Sequence, residues 1–162
     1  MEPTRIISVI GRKDAGKTTL VVALASEFNR QGKQVATIKH GHHPALLDTE
    51  GTDTWRHFNE GHAQRTLIES PGQRVLFERT EQDGDPEMLA RRYMGGMDLV
   101  IVEGFKTSAL PRIEVHRSKL HPAPLLEPKS ADAKLWVAMV TDDPSLRVAC
   151  PVFRFTDTSW LQ

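Results

Sequence analysis

Residues 6–24 read IISVIGRKDAGKTTLVVAL: an apolar run, a loop bounded by glycines, a lysine, two threonines and a second apolar run. Within it, residues 11–18, GRKDAGKT, match the pattern G-x-x-x-x-G-K-[ST] in full. The glycines of such a loop let the backbone turn tightly, so that successive amide groups point at phosphate oxygens. The stretch therefore predicts a phosphate-binding loop between a strand and a helix.

The residue types in this loop each have a chemical reason. A helix that begins near Lys17 directs its unpaired amides and positive dipole end at the phosphates. We expect Lys17 to reach the β- and γ-phosphates of a nucleotide and the Thr18 hydroxyl to bind Mg²⁺. The predicted nucleotide-binding residues of this stretch are Gly11, Arg12, Lys13, Asp14, Ala15, Gly16, Lys17, Thr18 and Thr19.

The composition limits the class of protein. The chain has 162 residues, which is enough for one domain with a real core, and its 21 basic and 21 acidic residues balance. With no net field, we expect neither a nucleic-acid partner nor a membrane partner. The single cysteine, Cys150, fits a reducing compartment, and neither a signal peptide nor an apolar run of about 20 residues is present. These features predict a cytoplasmic protein.

Hydrophobic periodicity predicts strands that alternate with helices, the order typical of a mostly parallel sheet flanked by helices. Two short strands around the turn SPGQ predict a β-hairpin insertion. The expected fold is α/β and P-loop NTPase-like, in a single nucleotide-binding domain over residues 1–162. The predicted helices are Lys17–Arg30, a short one near Thr52, and Pro86–Met94; the predicted strands are Arg5–Ile10, Gln34–Ile38, Arg65–Glu69, Arg74–Arg79, Leu99–Val102, Arg112–His116, Leu135–Val140 and Val152–Phe155.

A carboxylate follows the buried strand LVIV. In P-loop proteins, a carboxylate at the end of such a strand lies beside the phosphate loop and holds Mg²⁺, usually through water. Glu103 is at this position in the stretch DLVIVEG. We predict that Glu103 is a metal-binding and catalytic residue, although a buried strand can also end in an acidic residue without any such role.

Residues 38–57, IKHGHHPALLDTEGTDTWRH, are polar and rich in turn residues. One interpretation is a transition-metal site, because imidazoles suit zinc or nickel; it would use His40, His42 and His43, whose spacing matches no known ligand pattern. The preferred interpretation is a mobile active-site loop, and a third is a solvated loop without a function. In the preferred interpretation, Asp48 or Asp53 approaches Mg²⁺ or the attacking water, and an anionic ligand meets Lys39, His40 and His43.

Several of these segments together resemble the MobB family, the GTP-binding adaptors of molybdopterin-guanine dinucleotide biosynthesis. The similar segments are TIKHGHH, DTEGTDTWRH, DLVIVEGFK and PRIEVHR, placed behind the phosphate loop, and the resemblance covers about residues 6–117. It implies a P-loop GTPase-like fold, a homodimer, and GTP with Mg²⁺ at Lys17, Thr18 and Glu103. It also implies a partner, the molybdenum cofactor guanylyltransferase, with molybdopterin as a further candidate ligand near Lys39–Asp53.

One feature departs from the usual GTPase pattern. GTPases read guanine with an [NT]-K-x-D segment after a strand, whereas this chain has VTDD at residues 140–143, without a lysine. A carboxylate there can accept two hydrogen bonds from guanine, so Asp142 is the predicted base reader and Asp143 its alternative. The same pair could instead only begin the turn into Pro144.

Two further expectations concern activity and assembly. We see no glutamine or arginine finger placed to assist hydrolysis, so GTP turnover should be slow. The alternative function is a small-molecule P-loop kinase, which would need an arginine-bearing lid such as Arg91 and Arg92. A nickel-delivery GTPase ranks third.

The predicted hairpin is the candidate dimer contact, because its apolar residues need cover: Leu67, Ile68, Val75, Leu76 and Phe77.

Overall fold

The computed structural model describes residues 4–41 and 48–156 of the chain. Contacts divide the chain into two compact units, one formed by Met1–His40 with Gly84–Gln162 and the other by Gly41–Asp83. The expectation of a single nucleotide-binding domain therefore stays a prediction. Within the described ranges, no helix combines the length and apolar character needed to cross a membrane.

The larger unit contains a six-stranded sheet. Its strands are β1 (Arg5–Gly11), β2 (Val35–Lys39), β5 (Leu99–Glu103), β6 (Arg112–His116), β7 (Trp136–Thr141) and β8 (Val152–Arg154). They lie in the order β2-β5-β1-β6-β7-β8, and every pair of neighbours is parallel. Its helices are α1 (Lys17–Arg30) and α3 (Pro86–Tyr93). The predicted α/β class with a mostly parallel sheet is confirmed.

Both faces of this sheet are covered. The face toward α1 packs alternate strand residues, such as Val9, Ile101 and Val115, against Leu20 and Leu24 of the helix. The opposite face carries two separate clusters. One surrounds Ala90 of α3, and the other surrounds Met139 and Trp136. Because strands covered on both faces are apolar throughout, LVIV was recognisable as a strand from the sequence.

The smaller unit contains α2 (Asp53–Asn59) and an antiparallel hairpin of β3 (Arg65–Ser70) and β4 (Gln73–Glu78). The predicted hairpin is confirmed, but its turn is tighter than the four residues SPGQ, since Ser70 pairs with Gln73. Pro71 and Gly72 are left as the two central residues, and Gly72 has a φ of 82°, which glycine adopts without strain. The ring of Phe77 lies 5.9 Å from that of Phe58 on α2.

Most predicted strand boundaries differ from the observed ones by one residue, and the last two strands are examples. Leu135 belongs to a short 3₁₀ turn, Ala133–Leu135, whose last amide donates to the carbonyl of Asp132, so β7 begins at Trp136 and runs on to Thr141. The last strand ends at Arg154 rather than at Phe155. Periodicity alone does not reveal where a hydrogen-bonded ladder begins.

Strand β6 is unusual because all five residues of RIEVH are buried although three are polar or charged. Glu114 accepts hydrogen bonds from the amides of Leu125 and Leu126 and from the Trp136 indole. Arg112 donates to the carbonyls of Lys106 and Ser108. These hydrogen bonds hold the loops before and after β6 in place, and Arg112 also pairs with Asp132 at 3.5 Å, as a buried charge requires.

Candidate functional site

The phosphate loop occupies residues 11–16 between β1 and α1, as predicted. A Cβ atom on Gly11 would lie 2.5 Å from the carbonyl oxygen of Val115, so only glycine allows this approach of the loop to β6. Gly16 is the N-cap of α1 and has a φ of 102°. The Lys17 ammonium donates to the carbonyl of Arg12 across the loop, at 2.8 Å. The unpaired amides at the start of α1 and the Lys17 ammonium therefore lie at the same loop, as the binding of a phosphate requires.

Glu103 lies beside the start of α1, at the carboxyl end of β5. The Thr18 hydroxyl lies 2.9 Å and 3.0 Å from its two carboxylate oxygens, and the Lys39 ammonium donates to Oε1 at 2.9 Å. The parallel register of the sheet explains why Lys39 and Glu103 are in contact, since Glu103 pairs with Val9 on one side and with Lys39 on the other. The sheet therefore brings three predicted site residues together.

The surroundings of this carboxylate are strongly cationic. Desolvation lowers the pKa of the Lys17 ammonium below its usual value, the Glu103 carboxylate opposes that shift, and the charges of Lys106 and Lys39 add to it. Three ammonium groups near the carboxylates of Glu103 and Asp14, which both oppose the shift, leave an excess of positive charge. An anionic ligand would remove that repulsion, which is the electrostatic requirement of a phosphate site.

The same residues fit Mg²⁺ by their chemistry. Mg²⁺ prefers oxygen ligands and is usually bound through one or two carboxylates together with substrate phosphates. Hydrogen bonds of 2.9 Å and 3.0 Å join the Thr18 hydroxyl to Glu103, so two oxygen donors of the kind that Mg²⁺ prefers lie together beside the phosphate loop.

On the other side of β1, Asp142 follows β7 at the same edge of the sheet. Its Oδ1 accepts from the backbone amide of Ser118 at 2.7 Å and from the Ser118 hydroxyl at 3.0 Å. Burial would raise the pKa of the Asp142 carboxyl, but the two hydrogen bonds from Ser118 and the charge of Arg117 outweigh it, so this pKa lies below its usual value. Asp142 is therefore an oriented and ionised carboxylate.

Asp143 has a different environment. Its Oδ1 accepts from the amide and the hydroxyl of Ser145, which forms the local turn that continues into Pro144. The two hydrogen bonds from Ser145 hold the pKa of the Asp143 carboxyl below its usual value. Of the two candidate carboxylates, Asp143 thus has a local structural role, whereas Asp142 is held by a distant segment.

That distant segment, residues 116–121 (HRSKLH), was not among the predicted site residues. Arg117 Nε donates to the carbonyl of Ala15, and His121 Nε2 lies 2.9 Å from the carbonyl of Lys13. His116 Nε2 lies 3.0 Å from the carbonyl of His121, and its Nδ1 faces the Thr141 hydroxyl at 3.2 Å. Since the segment follows a parallel strand next to β1, the rule that identified Glu103 and Asp142 would also have identified it.

The structure brings together fewer residues of the segment 38–57. Lys39 contacts Glu103, and the His40 ring stacks on Phe105 with centroids 4.4 Å apart. His42 and His43 lie outside the described residues. For the part of the chain that is described, no group of three His, Cys, Asp or Glu side chains is arranged to hold a metal ion.

Asp48 and Asp53 lie in the smaller unit and have local roles there. Asp48 Oδ1 accepts from the Thr49 amide and from the Thr52 hydroxyl, both at 2.9 Å. Asp53 is the first residue of α2, where its negative charge meets the positive end of the helix dipole. Their predicted approach to Mg²⁺ or to an anionic ligand stays a prediction.

A strand, a G-x-x-x-x-G-K-[ST] loop and a helix, on a parallel sheet whose neighbouring strand ends in a carboxylate beside the loop threonine, define the P-loop NTPase-like class. Within that class, the family model described as "Molybdopterin guanine dinucleotide synthesis protein B", or MobB, matches residues 6–142. The chain belongs to the MobB family.

Relatives and solved structures agree with this assignment. A "Molybdopterin-guanine dinucleotide biosynthesis adapter protein" from Haemophilus influenzae is 34% identical over 116 residues, 71% of this chain and 65% of that protein. A putative adapter protein of the same description from Methanocaldococcus jannaschii is 37% identical over 68% of this chain and 44% of that protein. The chain thus matches less than two thirds of the length of these relatives. The crystal structure of a MobB homologue from Bacillus stearothermophilus has a TM-score of 0.68 and 25% identity, covering 96% of this chain and 92% of that one.

Proposed function

We propose that this chain binds GTP together with Mg²⁺ at the phosphate loop. The observation that carries the proposal is the cluster of Thr18, Glu103 and Lys39, with all three contacts at 2.9–3.0 Å, next to the desolvated Lys17. When bound, Mg²⁺ would be held by Thr18 and Glu103 and would neutralise phosphate charge. Lys17 and the amides at the start of α1 would bind the phosphates themselves.

Calorimetric titration of the chain with GTP, in the presence of Mg²⁺ and again with excess EDTA, tests this proposal. We expect saturable binding of one GTP per chain that weakens when Mg²⁺ is removed. Titration with ATP gives the base preference. No heat of binding with any nucleoside triphosphate, from a chain that melts cooperatively, would contradict the assignment of the phosphate loop.

We further propose that the chain is an adaptor that assists guanylyl transfer to molybdopterin, in the cytoplasm, with slow GTP hydrolysis of its own. The family membership and the names of the relatives support this function, and they give no support to the kinase alternative. The proposed lid arginines also have simpler roles, since Arg91 pairs with Glu87 on the surface of α3 at 2.7 Å and Arg92 stacks on Tyr93. Lys39, His40, His43 and Asp53 remain the candidate contacts for an anionic pterin.

The adaptor role is tested by adding the chain to a molybdenum cofactor guanylyltransferase with GTP and molybdopterin. We expect the rate of dinucleotide formation to rise, and the Lys17→Ala variant to give no such rise. An equal stimulation by the variant would separate the adaptor role from nucleotide binding. No stimulation by the unaltered chain would contradict the adaptor role itself.

A homodimer through one face of the hairpin is the last part of the proposal. This face, which we call the hairpin face, carries the cross-strand pairs Arg65–Glu78, Leu67–Leu76 and Glu69–Arg74. Leu67 and Leu76 are 59% and 44% exposed, whereas Phe77 packs on Phe58. On this face, the two arginines lie on one diagonal and the two glutamates on the other. Two copies packed face to face about a two-fold axis parallel to the strands would therefore place each arginine of one copy opposite a glutamate of the other.

Light scattering on the double variant Leu67→Glu and Leu76→Glu tests this interface, because four buried glutamates would repel one another in the dimer. We expect a folded monomer from the variant and a dimer from the unaltered chain. Val22→Glu is the matched control, because Val22 is 62% exposed on α1 in the other unit. A dimer that persists in the double variant would place the interface elsewhere.

A further inference from the structure

The sheet order gives the bound nucleotide a direction. Glu103, the proposed metal ligand, lies on β5, on one side of β1, whereas β6, β7 and β8 lie on the other side. Ligands of parallel sheets lie beyond the carboxyl ends of the strands. A nucleotide with its terminal phosphates near Glu103 therefore extends its nucleoside toward β6–β8.

Arg117 is the cation on that side that contacts the phosphate loop itself. It follows β6 directly, and its Nε donates to the carbonyl of Ala15 in the phosphate loop at 3.3 Å. Its guanidinium carbon lies 3.7 Å from the centroid of the Phe155 ring, close enough for a cation–π contact. A Cβ atom built on Gly16 would lie 3.7 Å from the terminal nitrogen Nη2. The guanidinium is thus held by a carbonyl and an aromatic ring, next to the loop that would bind the phosphates.

The position complements that of Asp142. VTDD lacks the lysine of the [NT]-K-x-D segment, and Arg117 places a positive charge close enough to Asp142 to lower the pKa of its carboxyl. Ser118, the next residue after Arg117, fixes Asp142 Oδ1. Two consecutive residues after β6 therefore have complementary roles. Ser118 orients the Asp142 carboxylate, which can accept hydrogen bonds from the edge of a base, and Arg117 is a planar cation that can cover the face of a base.

We propose that Arg117 binds the nucleoside part of the nucleotide, its guanidinium stacking on the guanine base with Phe155 as support on the other face. The proposal rests on the proposed function, because it requires a nucleotide in the phosphate loop. A planar guanidinium stacks on aromatic rings in a way that a lysine ammonium does not. Arg117 thereby determines nucleoside affinity and leaves triphosphate binding to the phosphate loop.

The test compares three ligands by calorimetry, each with Mg²⁺: GTP, GDP and inorganic tripolyphosphate. Tripolyphosphate has no base and therefore no stacking contact to lose. We expect Arg117→Ala to weaken the binding of GTP and GDP about tenfold or more and that of tripolyphosphate by less than about twofold. Arg117→Lys, which keeps the charge but not the plane, should behave like Arg117→Ala. Arg30→Ala is the control, since Arg30 forms an exposed pair with Glu27 at the far end of α1.

Each other outcome has a definite meaning. Stacking would be overturned if Arg117→Ala lost equal affinity for GTP and tripolyphosphate. It would also be overturned if Arg117→Lys bound GTP as well as the unaltered chain does. Arg117 would then contact a phosphate or only support Ala15. Unchanged GTP binding by Arg117→Ala would leave Arg117 as a structural brace. If the unaltered chain binds neither GTP nor tripolyphosphate, the proposed function fails first, and the two failures are thereby distinguished.

A measurement on the unaltered chain covers the case in which the variants fold poorly. The ring current of a stacked base shifts the NMR resonance of the Arg117 Nε–H proton upfield. We expect this shift with GTP and GDP and its absence with tripolyphosphate. A resonance that responds equally to GTP and tripolyphosphate contradicts the stacking role.

Discussion

The two ends of the candidate site differ in how they are built. The phosphate end is centred on one short stretch, in which Lys17 and Thr18 are adjacent in sequence, and its outside partners, Glu103 and Lys39, follow neighbouring strands. The nucleoside end is assembled from three separate segments, in which Ser118 holds Asp142 and Arg117 lies on Phe155. One end is a motif, and the other is a product of the fold.

The difference also concerns charge. At the phosphate end, desolvation and the charges of Lys39 and Lys106 lower the pKa of the Lys17 ammonium, and the carboxylates of Glu103 and Asp14 oppose that shift. At the nucleoside end, one carboxylate, Asp142, lies near one arginine, Arg117, and Ser118 donates hydrogen bonds to one of the two carboxylate oxygens. We therefore expect substitutions at the phosphate end to change affinity for every triphosphate, and substitutions at the nucleoside end to change the choice among them.

The largest expected effect comes from Lys17→Ala. A charge-assisted contact to phosphate is worth about 1.5–3 kcal/mol, so affinity for GTP, ATP and tripolyphosphate should fall about 10- to 150-fold alike. Because Lys17 is partly desolvated among like charges, the melting temperature should stay the same or rise by up to about 2 °C. Calorimetry beside a melting curve measures both, with the exposed Lys33→Ala as control. A variant that loses GTP alone would break the distinction between the two ends.

The phosphate end could be predicted from the sequence for a physical reason. Its amides, lysine and threonine are consecutive, and the strand and the helix on either side have strong periodicity. Glu103 needed one additional rule, that carboxyl ends of parallel strands share an edge. The confirmed bounds of α1, Lys17–Arg30, show how well a helix is marked when leucines recur on one face and a glycine follows.

The nucleoside end could be predicted only in part. The choice between Asp142 and Asp143 depends on Ser118, 24 residues earlier, and no local pattern indicates that contact. Arg117 resembled any arginine after a strand until the structure placed it against Ala15 and Phe155. The hairpin gave a similar result, since the pattern indicated the strands, but their packing decided that Leu67 and Leu76 are exposed and Phe77 is not.

Glu103→Gln should act on the Mg²⁺ requirement rather than on the phosphate contacts themselves. The amide keeps the shape of the side chain but loses the charge that holds a hard cation, so we expect the Mg²⁺ concentration needed for tight GTP binding to rise about tenfold. GTP affinity in EDTA should change little, and residual hydrolysis should slow. Titration of Mg²⁺ against bound nucleotide measures this, with Glu27→Gln as the control, a carboxylate paired with Arg30 on the surface of α1. A Mg²⁺ requirement equal to that of the unaltered chain would make Glu103 only the polar end of a core strand.

Asp142→Asn should change base preference rather than overall affinity. Guanine offers two donors to a carboxylate, whereas the donor group of an asparagine can meet the adenine acceptor at N1. An unpaired buried acceptor costs about 1–3 kcal/mol, so the ratio of GTP to ATP affinity should fall about 5- to 150-fold. Tripolyphosphate binding should stay constant. Asp143→Ala is the matched control, because that carboxylate accepts from Ser145 in its own turn. If Asp143→Ala lowers the ratio and Asp142→Asn does not, the assignment of the two carboxylates is reversed.

The smallest expected effect is that of pH on base preference. The pKa of the Asp142 carboxyl lies below its usual value, because hydrogen bonds from Ser118 and the charge of Arg117 outweigh the effect of burial. A lowered pKa means that the ionised form persists as pH falls, so Asp142 stays a carboxylate from pH 8 to pH 5. Protonation of the nucleotide γ-phosphate changes GTP and ATP affinity equally and cancels in their ratio. Competition binding across this range should therefore give a constant ratio. A ratio that changes between pH 5 and pH 8 would contradict base reading by a carboxylate whose pKa lies below its usual value.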